Sequence, residues 1–331
     1  MDVTGGSGKS HGVVCLGACA VDMMLTVPRF PAPDEMVFTL DEPRSLPGGS
    51  TGNIAAGLAR LGVPTRFVGK VGADANGMLL KEAFEADGVD VGYLIQVPAG
   101  RTASTIIAVN PTGSRVIYSL GGTAVLERPE EFVPELLEGA SLLYVGEAFP
   151  EVAERAMALA KQQGVSVVFG PGGGIEWLGR EVLGRLMSAA DFVLLSRREL
   201  HAAAGAREGL TDNEAAAELA ACGVQRLVVT RGEQGSVFID ASGSTAPVVV
   251  GPFAVDAVDT TGAGDSFAAG FMSSLVQARP IGECLTRGNA CAAMAIRKMG
   301  AREALPTLTE LERFLQQNTA ATAPAWAGEG S

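Results

Sequence analysis

The residues best suited to chemistry stand together late in the chain, in Asp259-Thr260-Thr261-Gly262-Ala263-Gly264-Asp265-Ser266-Phe267. An extended apolar run, Phe253 to Val258, leads in. A segment with Phe267, Phe271, Ser274 and Leu275 on one side leads out, so the spacing predicts a strand, a tight turn and a helix. Two glycines let the backbone turn sharply and leave its N–H groups bare. At a helix start four such donors lack intrahelical partners, and the helix dipole favours negative charge. Asp265 alone could simply cap that helix. Beside Asp259, two threonines and a Gly-Ala-Gly turn, it suits phosphoryl transfer. The turn of Gly262, Ala263 and Gly264 would hold the developing charge while Asp265 takes a proton from an attacking hydroxyl.

Composition narrows the alternatives. The chain has 331 residues, 47% of them hydrophobic and 19% charged, as in an ordinary globular protein with a large core. A net charge of -12 argues against nucleic acid or anionic membrane as a partner, and no apolar run approaches the roughly 18 residues of a membrane helix. Five cysteines without a Cys-x-x-Cys pair suit a reducing, cytoplasmic setting. Two histidines leave little room for a histidine triad or a multi-histidine metal site, neither of which phosphoryl transfer needs. The early Gly-Lys-Ser is not a P-loop, because Val3 stands where its first glycine belongs and the strand follows it.

The long motif, continued by Ala268-Ala269-Gly270-Phe271, resembles the C-terminal signature of ribokinase-like (PfkB-type) carbohydrate and nucleoside kinases. Pro47-Gly48-Gly49-Ser50-Thr51-Gly52-Asn53 resembles the N-terminal signature, Gly-Gly-x-x-x-Asn, although as a short motif it reads equally as a glycine turn before a small-residue helix. The resemblance covers residues 12–317 and implies an α/β fold, a three-layer sandwich with a mostly parallel central sheet and a small β lid. It implies Asp265 as general base, Gly262, Ala263 and Gly264 as anion hole, and Asp22, Gly49, Ser50 and Asn53 facing the acceptor. Arg101 and Glu147 are further candidates there, though a loop arginine and a helix cap explain them as well. For ATP it implies Glu199, Thr230, Gly232, Gly235 and Asn289, with Glu199 ordering Mg2+ through water. Many relatives bind a monovalent cation such as K+, here framed by Asp259, Thr261, Ala295, Lys298, Gly300 and Ala304.

Three departures stand out. Ser50 replaces the lysine of ribokinases proper, so a sugar or sugar acid and a nucleoside both remain open as acceptor. Ser196 replaces the asparagine of an Asn-x-x-Glu motif. Phe169-Gly170-Pro171-Gly172-Gly173-Gly174 lacks the usual acid, which keeps a non-catalytic ligand-binding relative in play. A dinucleotide-binding dehydrogenase is disfavoured because no Gly-x-Gly-x-x-Gly follows the first strand.

The positioning elements follow from periodicity. Short apolar strands alternate with amphipathic helices from residue 141 onward, which argues for a parallel sheet covered on both faces. Helices are expected at 176–187 and 281–299, and extended segments at about 22–46 and 101–121 should form the lid and a homodimer surface. Residues 1–11 read as a flexible leader and 318–331 as a disordered tail.

Overall fold

The computed structural model describes residues 12–243, 245–322 and 326, and of Glu176 the backbone alone; the expected leader lies outside the described residues. Strand β1 (Gly12–Leu16) is buried along its whole length, as its unbroken apolar sequence requires of a strand covered on both faces. Strands β2 (Ala20–Thr26) and β3 (Arg44–Gly48) leave the main sheet, and β4 (Thr65–Gly72) and β5 (Leu94–Val97) return to it. Strands β6 (Ser104–Val109) and β7 (Arg115–Ser119) join β2 and β3 in a second sheet of order β3-β2-β6-β7. The main sheet adds β8 (Ala140–Val145), β9 (Ser166–Phe169), β10 (Phe192–Ser196), β11 (Arg226–Thr230), β12 (Ser236–Asp240) and β13 (Val248–Val250). Its order is β13-β12-β11-β10-β9-β8-β1-β4-β5, parallel except for β12 and β13. The strand order reverses at β1, between β8 and β4, which is where open α/β sheets bind ligands beyond their carboxyl ends.

The pleat divides the core in two. Val14 and Leu16 of β1 face one cluster while Val13 and Cys15 face the other. The first is covered by α3 (Pro150–Gln163), α4 (Arg180–Ala189), α5 (Arg197–Ala203) and α6 (Asp212–Ala221). The second is covered by α1 (Ser50–Arg60), α2 (Ala75–Asp87), α7 (Ala263–Leu275), α8 (Ile281–Ala295) and α9 (Leu308–Gln317). Close helix approach fixes the site. A Cβ on Gly57 of α1 would stand 2.7 Å from the Ala269 side chain of α7. On Gly270 it would meet Cys291 Sγ at 2.7 Å, and on Gly288 the Phe267 ring at 2.8 Å. Helix α7 is therefore packed closely against α1 and α8 through its middle turns.

Several local expectations change. The extended stretch before β3 pairs only from Arg44, where it meets β2. The helix expected at 176–187 starts at Arg180, after a 3-10 turn over Gly172–Glu176 whose glycines favour no α-helix. Helix α8 stops at Ala295 because the next carbonyl, Ile296, accepts N–H groups from Val258 (2.7 Å) and Asp259 (3.1 Å). Residues 253–258, expected as a strand, join no ladder. Within the stretch expected as a tail, Trp326 is 4% exposed and lies under the Arg231 guanidinium, 5.6 Å from its ring centre. No helix among the described residues is long and apolar enough to cross a membrane.

Candidate active site

Gly262 caps α7 in the left-handed region, φ 75°, with no side-chain cap. A Cβ there would also stand 2.8 Å from that of Ala301, so only glycine suits the turn. Ala263 N–H closes the turn onto Thr260 O at 3.3 Å. The N–H groups of Gly262, Gly264 and Asp265 have no acceptor among the described residues. The bare donors thus include the amide of Asp265 itself, whereas that of Ala263 is already engaged.

The Asp265 carboxylate is held from α1. Ser50 Oγ donates to Oδ1 at 2.7 Å and Asn53 Nδ2 donates to Oδ2 at 2.9 Å. The residue keeps some exposed area, but its carboxylate lies deep between the two helices, and burial raises its pKa despite both hydrogen bonds. Asn53 is 4% exposed, and its Oδ1 finds no donor among the described residues. A buried, unpaired carbonyl oxygen costs stability unless a ligand hydroxyl reaches it. This oxygen belongs to the same side chain whose amide holds the Asp265 carboxylate.

Asp265 lines a cavity of about 150 Å³ with Ser50, Gly170, Ser196, Glu199, Thr230 and Gly264. That cavity joins the ends of β9, β10 and β11 to the bare turn. Glu199 and Ser196 form a reciprocal cap at the start of α5: Ser196 N–H donates to Glu199 Oε2 at 2.7 Å and Glu199 N–H to Ser196 Oγ at 3.2 Å. The shorter side chain at 196 is thereby explained as a cap. Glu147 accepts from Thr51 Oγ1 at 3.0 Å, and burial followed by repulsion from Asp265 and Glu199 pushes its carboxyl up to about 7. A Cβ at Gly172 would come 2.8 Å from Glu147 Oε1, so the glycine-rich loop that lacks an acid leaves room for this one.

A larger cavity, about 570 Å³, runs between the second sheet and the loops at 257–261 and 299–303, with Asp22, Met24, Ile107, Ile117, Arg115 and Thr261 in its wall. It is the roomier space but holds no group placed for proton transfer to a phosphate site. Were an acceptor bound, the larger cavity has the room for it, while the smaller holds the buried carboxylate. Asp22 accepts from Thr105 Oγ1 at 2.6 Å, and burial raises its pKa. A Cβ at Gly48 would lie 2.1 Å from Asp22 Oδ2, so the glycine before Gly49 makes room for the carboxylate. Gly49 is at φ 83° with the Cys19 backbone 2.7 Å from a notional Cβ.

Asp259 staples the two loops: Oδ1 accepts Thr261 N–H at 2.9 Å and Oδ2 accepts Gly300 N–H at 3.0 Å. Burial would raise its pKa, but the Thr261 hydroxyl, these amides and Arg115 hold it below the usual range. Lys298 is exposed and its charge acts on Glu310, away from the loops. Two expected site residues stand elsewhere. Arg101 donates to Leu120 O at 2.6 Å and braces the hairpin base. Asn289 gives its amide to Val250 O (3.2 Å) and Gly251 O (2.9 Å), tying β13 to α8. Among residues the sequence did not single out for this site, Arg115 reaches across the cleft, donating to Thr261 Oγ1 and lying 4.0 Å from Asp259 Oδ1. An isolated strand arginine carried no signal for this.

Comparison with known proteins agrees with this geometry. Residues 10–308 match the model of the pfkB family carbohydrate kinases. The chain is 32% identical over 305 residues to an ATP-dependent ribose-1-phosphate kinase of Halopiger xanaduensis, covering 92% of this chain and 98% of that one. It is 27% identical to a ribokinase of Staphylococcus aureus, covering 92% and 99%. Its fold superposes on Arabidopsis thaliana ribokinase complexed with ribose and ATP with a TM-score of 0.82 at 25% identity, covering 93% and 99%. It superposes on the Thermotoga maritima ribokinase with a TM-score of 0.81 at 26% identity, covering 92% and 99%. A carboxylate held beside bare amides at the switch point, a separate sheet over the acceptor cleft and a family match across almost the whole chain converge: the protein belongs to the PfkB family of carbohydrate kinases, ATP-dependent phosphotransferases that act on hydroxyl groups.

Proposed function

We propose that the chain phosphorylates a hydroxyl of a small sugar or sugar acid, with Asp265 as the general base. The observation that carries this reading is the Ser50–Asp265–Asn53 arrangement beside the bare amides of Gly262, Gly264 and Asp265. The acceptor hydroxyl lies against Asp265 and donates its proton there as its oxygen attacks the γ-phosphorus. Ser50 and Asn53 fix the carboxylate, and the free Asn53 Oδ1 receives a neighbouring hydroxyl. The turn amides face the charge on the transferring group and need no reorganisation at that moment. Asp22 and Gly49 hold the sugar from the lid side. Glu147 braces Thr51 next to Ser50, and Thr230, Gly232, Gly235 and Glu199 border the phosphates of ATP.

Among the described residues no cluster of three or more carboxylate, histidine or cysteine ligands could seat a metal by itself. Glu199, which lines the same cavity as Asp265, would be the residue to hold Mg2+ through water. Bound there, Mg2+ neutralises phosphate charge. The loops stapled by Asp259 and Gly300 remain the proposed seat of a monovalent cation. The ligands would be largely main-chain carbonyls, and Asp259, whose two oxygens accept the Thr261 and Gly300 N–H groups, would hold the two loops together around the ion. A homodimer through the lid is supported by exposed apolar side chains there, including Met36 and Phe38 at 78% and Tyr118 at 59%.

A second reading, a nucleoside acceptor, is favoured by one feature. The acceptor cavity adjoins another of about 400 Å³, and Met24, Val109, Val258 and Met299 line both. That space exceeds what a free pentose fills and would seat a base. The deciding experiment is an ATP-consumption screen over sugars, sugar acids, sugar phosphates and nucleosides, run beside Asp265→Asn. Acceptor-dependent ADP release that disappears in the variant supports the reading. Its absence for every acceptor, or its persistence in Asp265→Asn, rejects it.

A further inference from the structure

Lid strand β7 pairs with β6 alone and is the outer edge of its sheet, with four of its five residues exposed. Nothing about such a strand requires it to touch the body of the protein. Arg115, its first residue, nevertheless sends its guanidinium over the cleft to Thr261 Oγ1, with Asp259 Oδ1 4.0 Å away. Thr261 is the residue before Gly262, whose φ of 75° opens the anion-binding turn. Its own hydroxyl and N–H are held by Asp259, which also holds Gly300 N–H. A lid residue is thus connected, through one hydroxyl and one carboxylate, to the backbone that must meet the transferring phosphate. The same lid sheet carries Asp22 on β2, two strands away.

We propose that Arg115 is a positioning residue that couples placement of the lid over the acceptor to the geometry of the phosphate-binding turn. The proposal rests on the kinase reading given above. The reacting atoms come from two bodies: the acceptor rests against the lid, the nucleotide against the main sheet. Their relative placement must be right to a fraction of an ångström, because a misplacement of about 1 Å costs roughly a hundredfold in rate. A planar guanidinium engaged with a hydroxyl and a neighbouring carboxylate gives orientation as well as attraction, which a lysine ammonium would not match. The contact is half exposed, so it can form and break as ligands enter.

The test compares Arg115→Ala, Arg115→Lys, Thr261→Val and the double variant Arg115→Ala/Thr261→Val. In the kinase assay, Arg115→Ala should lower kcat/KM for the acceptor by about tenfold to a hundredfold. The dissociation constant of a non-hydrolysable ATP analogue should stay within about twofold. Arg115→Lys should recover only part of the loss. The double variant should be no worse than the poorer single one, since both remove the same link. ATP hydrolysis without acceptor should rise relative to transfer as the cleft admits water. Amide hydrogen exchange gives a readout independent of catalysis: Arg115→Ala should speed exchange at residues 259–264, though the substitution lies on the lid. If no acceptor turns over but exchange responds, the kinase reading fails while the coupling stands. Transfer at the wild-type rate with unchanged exchange, or full additivity in the double variant, overturns the proposal.

Discussion

The two sides of the cleft are built on different terms. On the body side, α1 and α7 pack closely where Gly57 meets Ala269, and Asp265 is hydrogen-bonded by Ser50 and Asn53 before any ligand arrives. On the lid side, a four-stranded sheet with much of its surface exposed carries Asp22 and touches the phosphate turn through Arg115. On the proposed reading, one side is preorganised for a step that never varies, the movement of a phosphoryl group past a carboxylate. The other has few buried contacts and can move, as suits a surface that must admit, recognise and release an acceptor. Chemistry and selectivity therefore occupy separate structural units, and damage to each should have a separate kinetic signature.

The largest effect should come from Asp265→Asn, which keeps the shape but removes the base. We expect kcat to fall by about 10²–10⁴-fold with the affinity for an ATP analogue little changed, checked by steady-state kinetics beside equilibrium binding. Undiminished turnover would dissolve the distinction at its root. Next, Gly262→Ala sets a side chain at φ 75° and 2.8 Å from the Ala301 Cβ, so the turn must open. A kcat loss of about 10²–10³-fold is expected, as for a missing oxyanion donor, with the acceptor KM changing much less. On the lid side, Gly48→Ala drives a methyl against Asp22 Oδ2. Here KM for the acceptor should rise by about tenfold to a hundredfold, the value of a displaced charge-assisted hydrogen bond, while kcat at saturation holds. A drop in kcat alone would show that the lid takes part in the chemical step.

The same division governs what could be read in advance. The Gly-Ala-Gly-Asp turn was legible because its parts are neighbours: a left-handed glycine, a helix start and an acid lie within four residues, and local geometry sets their relation. The alternating strands and helices were legible for the same reason. Contacts between distant residues were not. Asn53 and Asp265 are 212 positions apart, and only the packing of α1 on α7 turns the amide toward the carboxylate. Arg115 and Thr261 are 146 apart, one on a lid strand and the other in the turn before α7. The contacts of Arg101 and Asn289 were equally hidden: they donate to the backbone carbonyls of Leu120, Val250 and Gly251, which no spacing reveals. Trp326 lies in a stretch whose composition reads as tail, yet one large ring finds a buried place against the body.

The mildest test concerns stability and asks whether preorganisation on the body side has a measurable cost. Glu147 sits among Asp265 and Glu199, and its carboxyl is pushed up to about 7, against 4.5 ordinarily. Because the folded form binds that proton more tightly than the unfolded chain, the contribution to stability is complete below about 4.5 and lost as pH rises through about 7. Above that, folding must bury a negative charge beside two others. Glu147→Gln keeps an oxygen for the Thr51 hydroxyl and resembles the protonated acid. It should match the wild type in thermal unfolding at pH 5 and exceed it at pH 8.5 by on the order of 1–3 kcal/mol. Asp259 offers the opposite sign: its pKa is held low by Thr261 and Gly300, so it stabilises at neutral pH and weakens the fold on acidification. A Glu147→Gln gain that is equal at both pH values would mean the carboxylate is solvated after all, and that the body side is less enclosed than its hydrogen bonds imply.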